Sequence, residues 1–216
     1  MQKEGKCDWT VMGEANMKNN INVRIIKWFF ASVCKPQLKK KGVSGKAIKE
    51  IDREYARILS AAKDMTDKKF IGSYVMGIYF IAMNRCSGLD AETNYGVFAE
   101  ELKNSALAKK FFGDADSYLD EKKLPERLKW AEESHKRKNE NNWVVDVLPA
   151  NGDYDLGYDY HECGICKICA DEGCPELASY LCRMDYVLAD IIGMKLTRTM
   201  TLADGYEKCD FRYSRK

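Results

Sequence analysis

Apolar residues recur at helical spacing along the first part of the chain and change to alternation near residue 142. "INVRIIKWFFASVC" (21–34) sets Ile21, Val23, Ile25, Ile26, Phe29, Phe30 and Val33 mostly on one side of a helix. "KPQLKKKGVSG" (35–45) reads as a basic connector with turn signals. A second helix over 44–65 follows from Ile48, Ile51, Tyr55, Ile58 and Leu59, with Ser44 as its cap. Further helical runs cover 68–86, 92–112 and 120–139. The last is a solvated helix with a thin apolar stripe of Leu124, Leu128, Trp130 and Ala131, and His135 belongs to its surface.

From Asn142 the pattern is that of strands. "NWVVDVLPA" has β-branched content and ends at a proline, "NGD" is a turn, and "YDLGYDY" alternates. Two neighbouring antiparallel strands over 142–148 and 154–160 are expected. Helices over 163–172 and 176–192 come next. "MKLTRTMTLADGYEKCDFRY" then reads as a hairpin turning at Asp204-Gly205, with strands 195–202 and 207–213. That turn pairs Thr199 with Asp210, Arg198 with Phe211, and Met200 with Cys209. The fold class is α+β: a helical N-terminal part (1–141) packed on a mainly antiparallel four-stranded sheet. Two helices cover that sheet, a C-terminal β-hairpin completes it, and 142–216 carries it within one compact unit.

Composition narrows the picture. The chain has 216 residues, 45% of them hydrophobic, enough to bury a sizeable core. Thirty-five basic and 33 acidic residues nearly balance, which gives no reason to expect nucleic acid or an anionic membrane as partner. "MQKEGKCDWT" has no apolar signal region, and "IGSYVMGIYFIAM" (71–83) is shorter than the roughly 20 residues a bilayer span needs. The second reads as a buried core helix. Nine cysteines without a signal sequence point to reduced thiols in a cytoplasm.

The cysteines cluster in "YHECGICKICADEGC" (160–174). On a helix over 163–172, Cys163, Cys166 and Cys169 share the apolar arc with Ile165 and Ile168, so they read as core or pocket-lining thiols. A metal or iron–sulfur cluster, with Cys174 and Cys182 as further ligands, is the weaker reading, because a second CxxC pair at zinc-ribbon spacing is missing, and thiol redox chemistry is the third. No metal and no cofactor are expected.

Two charges sit where apolar residues belong. Asp185 falls beside Leu181, Ala178 and Ile192 on the helix over 176–192, and it needs a cation, a donor or a ligand there. Arg198 lies on the apolar face of the hairpin. Its guanidinium suits a carboxylate, either that of Asp185 or that of a substrate. Asp210 and Arg212 lie on the other face among threonine hydroxyls.

At "DLGYDYHECGICK", "LCRMDY" and "LTRTMTLADGYEKCDFRY" the chain resembles the L-2-amino-thiazoline-4-carboxylic acid hydrolase family of bacteria and archaea. The likeness rests on Cys163 opening a helix after a strand, on Cys182 with Asp185, on Arg198, Thr199 and Thr201, on Gly205, and on Cys209 to Tyr213. The resemblance implies hydrolytic opening of a cyclic amidine-like C–N bond in a small carboxylated 2-aminothiazoline, giving a carbamoylated cysteine. Chemically, a thiol can attack the electrophilic amidine carbon while an acid supplies the ring nitrogen with a proton. Cys182 is the expected nucleophile beside Asp185 as acid, with Cys209 and Cys163 as rivals or binding groups. His161 is a candidate activator, Arg198 the expected carboxylate anchor, and Arg212, with Asp210 beside it, the second choice. The alternatives are a small-molecule binding or sensory domain with the same cavity, and a cysteine-ligated metal protein. The sequence leaves oligomeric state, including a homo-oligomer, open.

Overall fold

A computed structural model describes Met17, residues 20–63, Met65, residues 67–136 and residues 141–216. The helical part holds α1 (Ile21–Lys40), α2 (Gly45–Ala61), α3 (Ile71–Cys86), α4 (Ala91–Asn104), α5 (Ala106–Phe112), α6 (Ala115–Tyr118) and α7 (Leu124–Lys136). Then come β1 (Val144–Pro149), β2 (Leu156–Glu162), α8 (Gly164–Asp171), α9 (Leu177–Ile192), β3 (Met194–Thr197) and β4 (Cys209–Arg215). The architecture is α+β with one antiparallel sheet in the order β1-β2-β4-β3.

Helix α3 is the axis of the helical layer. Every residue from Tyr74 to Met83 is buried, as its unbroken apolar run requires, and α1, α2, α4 and α8 pack around it. Ser44 caps α2 by accepting a hydrogen bond from Ala47 N at 3.1 Å. One continuous cluster of buried side chains runs from α1 through α4 into α8 and α9. A second lies between the sheet and the α6–α7 region, with Ala189 of α9 at its edge.

The sheet has one apolar and one polar face. Val145, Val147, Leu156, Tyr158, Leu196, Cys209, Phe211 and Tyr213 face the core. Asp146, Asp159, Asp210 and Arg212 alternate with them along the strands. The free edge of β1 is closed by α7: Ser134 Oγ accepts from Val145 N at 3.0 Å and lies 3.3 Å from Val145 O.

Several boundaries differ from the sequence expectation. Residues 35–40 are not a connector but the last turns of α1, with Pro36 inside the helix. Proline removes one hydrogen bond there, but Leu38 is fully buried and holds the final turn in place. The run 92–112 divides at Ser105, whose backbone is extended and whose Oγ accepts from Ala108 N at 3.2 Å. Residues 137–139 of the run 120–139, and the N-terminal ten residues, lie outside the described residues. The C-terminal hairpin has the expected register where it pairs, Leu196 with Tyr213 and Thr197 with Arg212. Its strands are shorter, however, and 198–208 forms a loop with a 3-10 turn at Leu202–Asp204. Asp210 causes this: its carboxylate accepts from Thr199 N (2.9 Å), Thr199 Oγ1 (2.7 Å) and Met200 N (2.6 Å). Backbone donors that would have extended the ladder are turned to a side chain instead.

One glycine is required by close approach. A Cβ on Gly164 would lie 2.5 Å from Asn141 O and 2.5 Å from Trp143 Cζ3. Trp143 is itself fixed by stacking on Phe70, with ring centroids 4.3 Å apart. The start of α8 is thereby pressed against the segment leading into β1. Gly164→Ala is expected to destabilise the protein by about 1–3 kcal/mol through overpacking. Gly96→Ala, in open space within α4, is expected to stabilise by up to about 1 kcal/mol. Urea unfolding of both variants checks the pair.

Candidate active site

The two charges misplaced in the sequence pattern meet. Arg198 Nη1 donates to Asp185 Oδ2 at 2.7 Å, and Nη2 donates to the carbonyl of Cys182 at 2.9 Å. The guanidinium lies between the rings of Phe211 and Tyr186, with its centre 4.8 and 5.1 Å from their centroids. It leaves only 4% of its side chain open, and its Nε has no hydrogen-bond partner. A buried donor left single in this way is uncommon.

Asp185 is deep enough for burial to dominate its acidity. Burial raises its pKa to about 6, against the pull of Arg198. Yet 30% of its side chain remains open, so the carboxyl faces a recess and not packed core. The same ion pair, with its surroundings, pushes Arg198 up.

Four thiols surround this pair. Cys163 sits in the N-cap position of α8 with an extended backbone (φ −129°, ψ 119°). The Cys166 thiol one turn on, and then the backbone N–H groups of Cys166 and Ile165, draw Cys163 below the ordinary thiol range, against its burial. Cys166 is pushed up in return, first by its contact with Cys163 and then by burial. Cys182 is pushed up by burial and by Asp185 beside it. Cys209 is pushed up to about 11 by burial, and its Sγ takes the N–H of Leu202 at 3.2 Å. Cys163, Cys166 and Cys182 are half-buried, whereas Cys209 is buried. Among the described residues, no group of three or more His, Cys, Asp or Glu side chains is arranged to hold a metal ion.

A pocket of about 280 Å³ opens beside the pair, between α9 and the 198–208 loop. Cys182, Tyr186, Arg198, Thr199 and Thr201 are among its walls. Thr201 caps the 3-10 turn by accepting from Asp204 N at 3.1 Å, so the loop that forms the wall is internally braced.

Of the candidate residues named from sequence, Cys163, Cys182, Cys209, Asp185 and Arg198 come together. His161 and Arg212 lie elsewhere, and Asp210 holds the Thr199 wall of the pocket from behind. His161 is exposed and shares Asp146 with His135, with Nε2–Oδ contacts of 2.8 Å each. Arg212 pairs with Asp159 at 2.8 Å and donates to the carbonyl of Tyr158 at 3.2 Å. Asp210 is occupied by the loop. Cys166 reads from sequence as a core or pocket-lining thiol, and what that reading leaves out is its contact with Cys163. The Cys-x-x-Cys spacing at a helix start is the signal that finds it.

A family model described as L-2-amino-thiazoline-4-carboxylic acid hydrolase matches residues 75–213, which hold every residue of this site. No curated protein and no solved structure matches the chain. No helix among the described residues is long and apolar enough to cross a membrane.

Removing Arg198 leaves Asp185 without its cation. In the Arg198→Met variant the carboxyl holds its proton to higher pH than in the wild type. A carboxyl whose folded pKa exceeds its unfolded value, about 3.9, lowers stability as pH rises through that interval. The variant is therefore expected to lose more stability at pH 8 than at pH 5. The loss at pH 8 is expected near the lower end of about 3–5 kcal/mol, because Asp185 is partly open. Urea midpoints at the two pH values measure the difference.

Proposed function

The chain belongs to the L-2-amino-thiazoline-4-carboxylic acid hydrolase family, and from that premise we propose that it opens a small carboxylated cyclic amidine by hydrolysis, with Cys163 as nucleophile. The observation that carries this reading is the meeting of Cys163, Asp185 and Arg198 from three separate elements. The thiolate is the reactive form of cysteine, and Cys163 is the half-buried thiol whose environment favours it. Cys182 lines the pocket but is held as the neutral thiol by burial and by Asp185. Acidity therefore favours Cys163 over Cys182.

In this reading the Cys163 thiolate adds to the amidine carbon, which lies between the ring nitrogen and sulfur. The ring C–N bond breaks as Asp185, in its acid form, gives its proton to the departing nitrogen. The product is a thioimidate on Cys163 with a free amine. Water adds to the same carbon, and Asp185, now a carboxylate, takes a proton from it. The Cys163–carbon bond then breaks, and a carbamoylated cysteine leaves. Arg198 keeps the Asp185 carboxyl aimed into the recess. Arg198 also lines the pocket, where its guanidinium suits the substrate carboxylate. Thr199 and Thr201 line the pocket where the rest of a small ring fits.

Purified protein incubated with L-2-amino-thiazoline-4-carboxylate is expected to yield a ring-opened product one water heavier, read by mass spectrometry. Cys163→Ser is expected to lose turnover by at least about 10²-fold, whereas Cys182→Ala retains it. The reverse pattern would move the nucleophile to Cys182. Absence of product from folded wild-type protein would sink the hydrolase reading for this substrate.

The pH profile carries a second expectation. Cys163 must have lost its proton while Asp185 still holds one. The form with the Cys163 thiolate and the Asp185 acid is most populated between the two titrations, so kcat/KM is expected to rise and then fall with pH, the limbs belonging jointly to Asp185 and Cys163. Asp185→Asn is expected to lower kcat by about 10²–10⁴-fold and to abolish this alkaline decline. A decline that persists in Asp185→Asn would assign it to another group.

A further inference from the structure

Two pairs of cysteines in the 163–174 segment lie side by side, Cys163 with Cys166 and Cys169 with Cys174. They differ in access. Cys169 is fully buried and Cys174 buried, whereas Cys163 and Cys166 are both half-buried. Cys163 occupies the N-cap position of α8, and Cys166 lies in its first turn. Residues three apart at a helix start lie within the Cα separation a disulfide spans, about 4.4–6.8 Å.

We infer that Cys163 and Cys166 form a dithiol couple that reacts with low-molecular-weight disulfides of the glutathione type and closes reversibly to a Cys163–Cys166 disulfide. The Cys163 thiolate attacks one sulfur of the small disulfide. A Cys163 mixed disulfide forms, and the first small thiolate leaves and takes up a proton. Cys166 then gives up its proton and attacks the Cys163 sulfur. The second small thiol departs as the protein disulfide closes. Two protein thiols are oxidised and one small disulfide is reduced to two thiols.

The structure supplies a reason for this order. Cys163 stands at the N-cap position of α8, where the positive end of the helix favours a thiolate, so it attacks first. What holds the proton on Cys166 is, above all, its contact with the Cys163 sulfur. Once Cys163 is bound in the mixed disulfide that contact no longer favours a proton on Cys166, and the second thiol is freed to act. Gly164, wedged against Asn141 and Trp143, fixes the turn that separates them.

A consequence for catalysis rests on the reading of Cys163 as the nucleophile: the closed disulfide removes it from the reaction. The thiol chemistry itself does not depend on that reading.

The test is incubation of the full-length protein with glutathione disulfide, followed by acid quench, alkylation and peptide mapping. Wild-type protein is expected to lose two hydrogens, with Cys163 and Cys166 linked and Cys169 and Cys174 alkylated. Cys166→Ser is expected to retain one glutathione on Cys163. Cys166 in Cys163→Ser is expected to react at least about tenfold more slowly than Cys163 does. A disulfide mapped to Cys169–Cys174 or to Cys182, or no glutathione retained by folded Cys166→Ser, overturns the couple. Ring-opening activity, where present, is expected to fall at least about 10²-fold on oxidation and to return with dithiothreitol. Protein without ring-opening activity that still forms the 163–166 disulfide refutes the hydrolase reading and keeps the couple. Oxidised protein with full activity refutes Cys163 as the nucleophile.

Discussion

The ion pair between Arg198 and Asp185 ties together the elements that form the site. Asp185 belongs to α9, and Arg198 is the first residue after β3. Because Nη2 of the same guanidinium holds the Cys182 carbonyl, one side chain grips α9 at two successive turns. Few contacts could replace it. An uncompensated charge so far from solvent is costly, and the pair lies between two aromatic rings that exclude water from the guanidinium. The position of the 198–208 loop, and with it one wall of the pocket, follows from this grip.

A second constraint sets the thiols. Gly164 lets the backbone at the start of α8 touch the wall made by Asn141 and Trp143. Asn141 is itself anchored, donating from Nδ2 to Tyr74 Oη and to Lys63 O. The first turn of α8 is thus referred back to α3, the most deeply buried helix. Two rigid references, α3 for the thiols and α9 for the acid, meet at the recess. The match of the family model from residue 75 onward spans both.

Much of this was legible in the residue pattern. Asp185 and Arg198 stood out as charges on apolar faces, and burial leaves such charges few partners other than each other. The register of the hairpin followed from placing its turn at Asp204-Gly205 and is correct for Leu196 and Thr197. What alternation could not reveal is that Asp210 turns the backbone of Thr199 and Met200 away from the ladder, since a carboxylate on a polar strand face looks like ordinary surface. Pro36 and the lysines after it resembled a connector, because the burial of Leu38 depends on tertiary contacts that no local window contains. The acidity of Cys163 was equally hidden. It comes first from the Cys166 thiol one turn on and then from the N–H groups of the helix start, and the apolar arc gave all three of the 163, 166 and 169 thiols the same meaning.

The hydrogen bonds of Ser134 to β1 bear on how copies of the chain meet. A sheet recruits a neighbour through the unpaired N–H and C=O groups of its outer strands. On one side those at Val145 are already taken from within. On the other side β3 offers only four residues, Met194–Thr197, before the chain turns into the loop held by Asp210. Continuation of the sheet from one molecule into the next therefore finds an occupied border at one end and a short one at the other. Among the described residues, strand-by-strand growth from one molecule into the next is thereby hindered at Val145 and at the short β3.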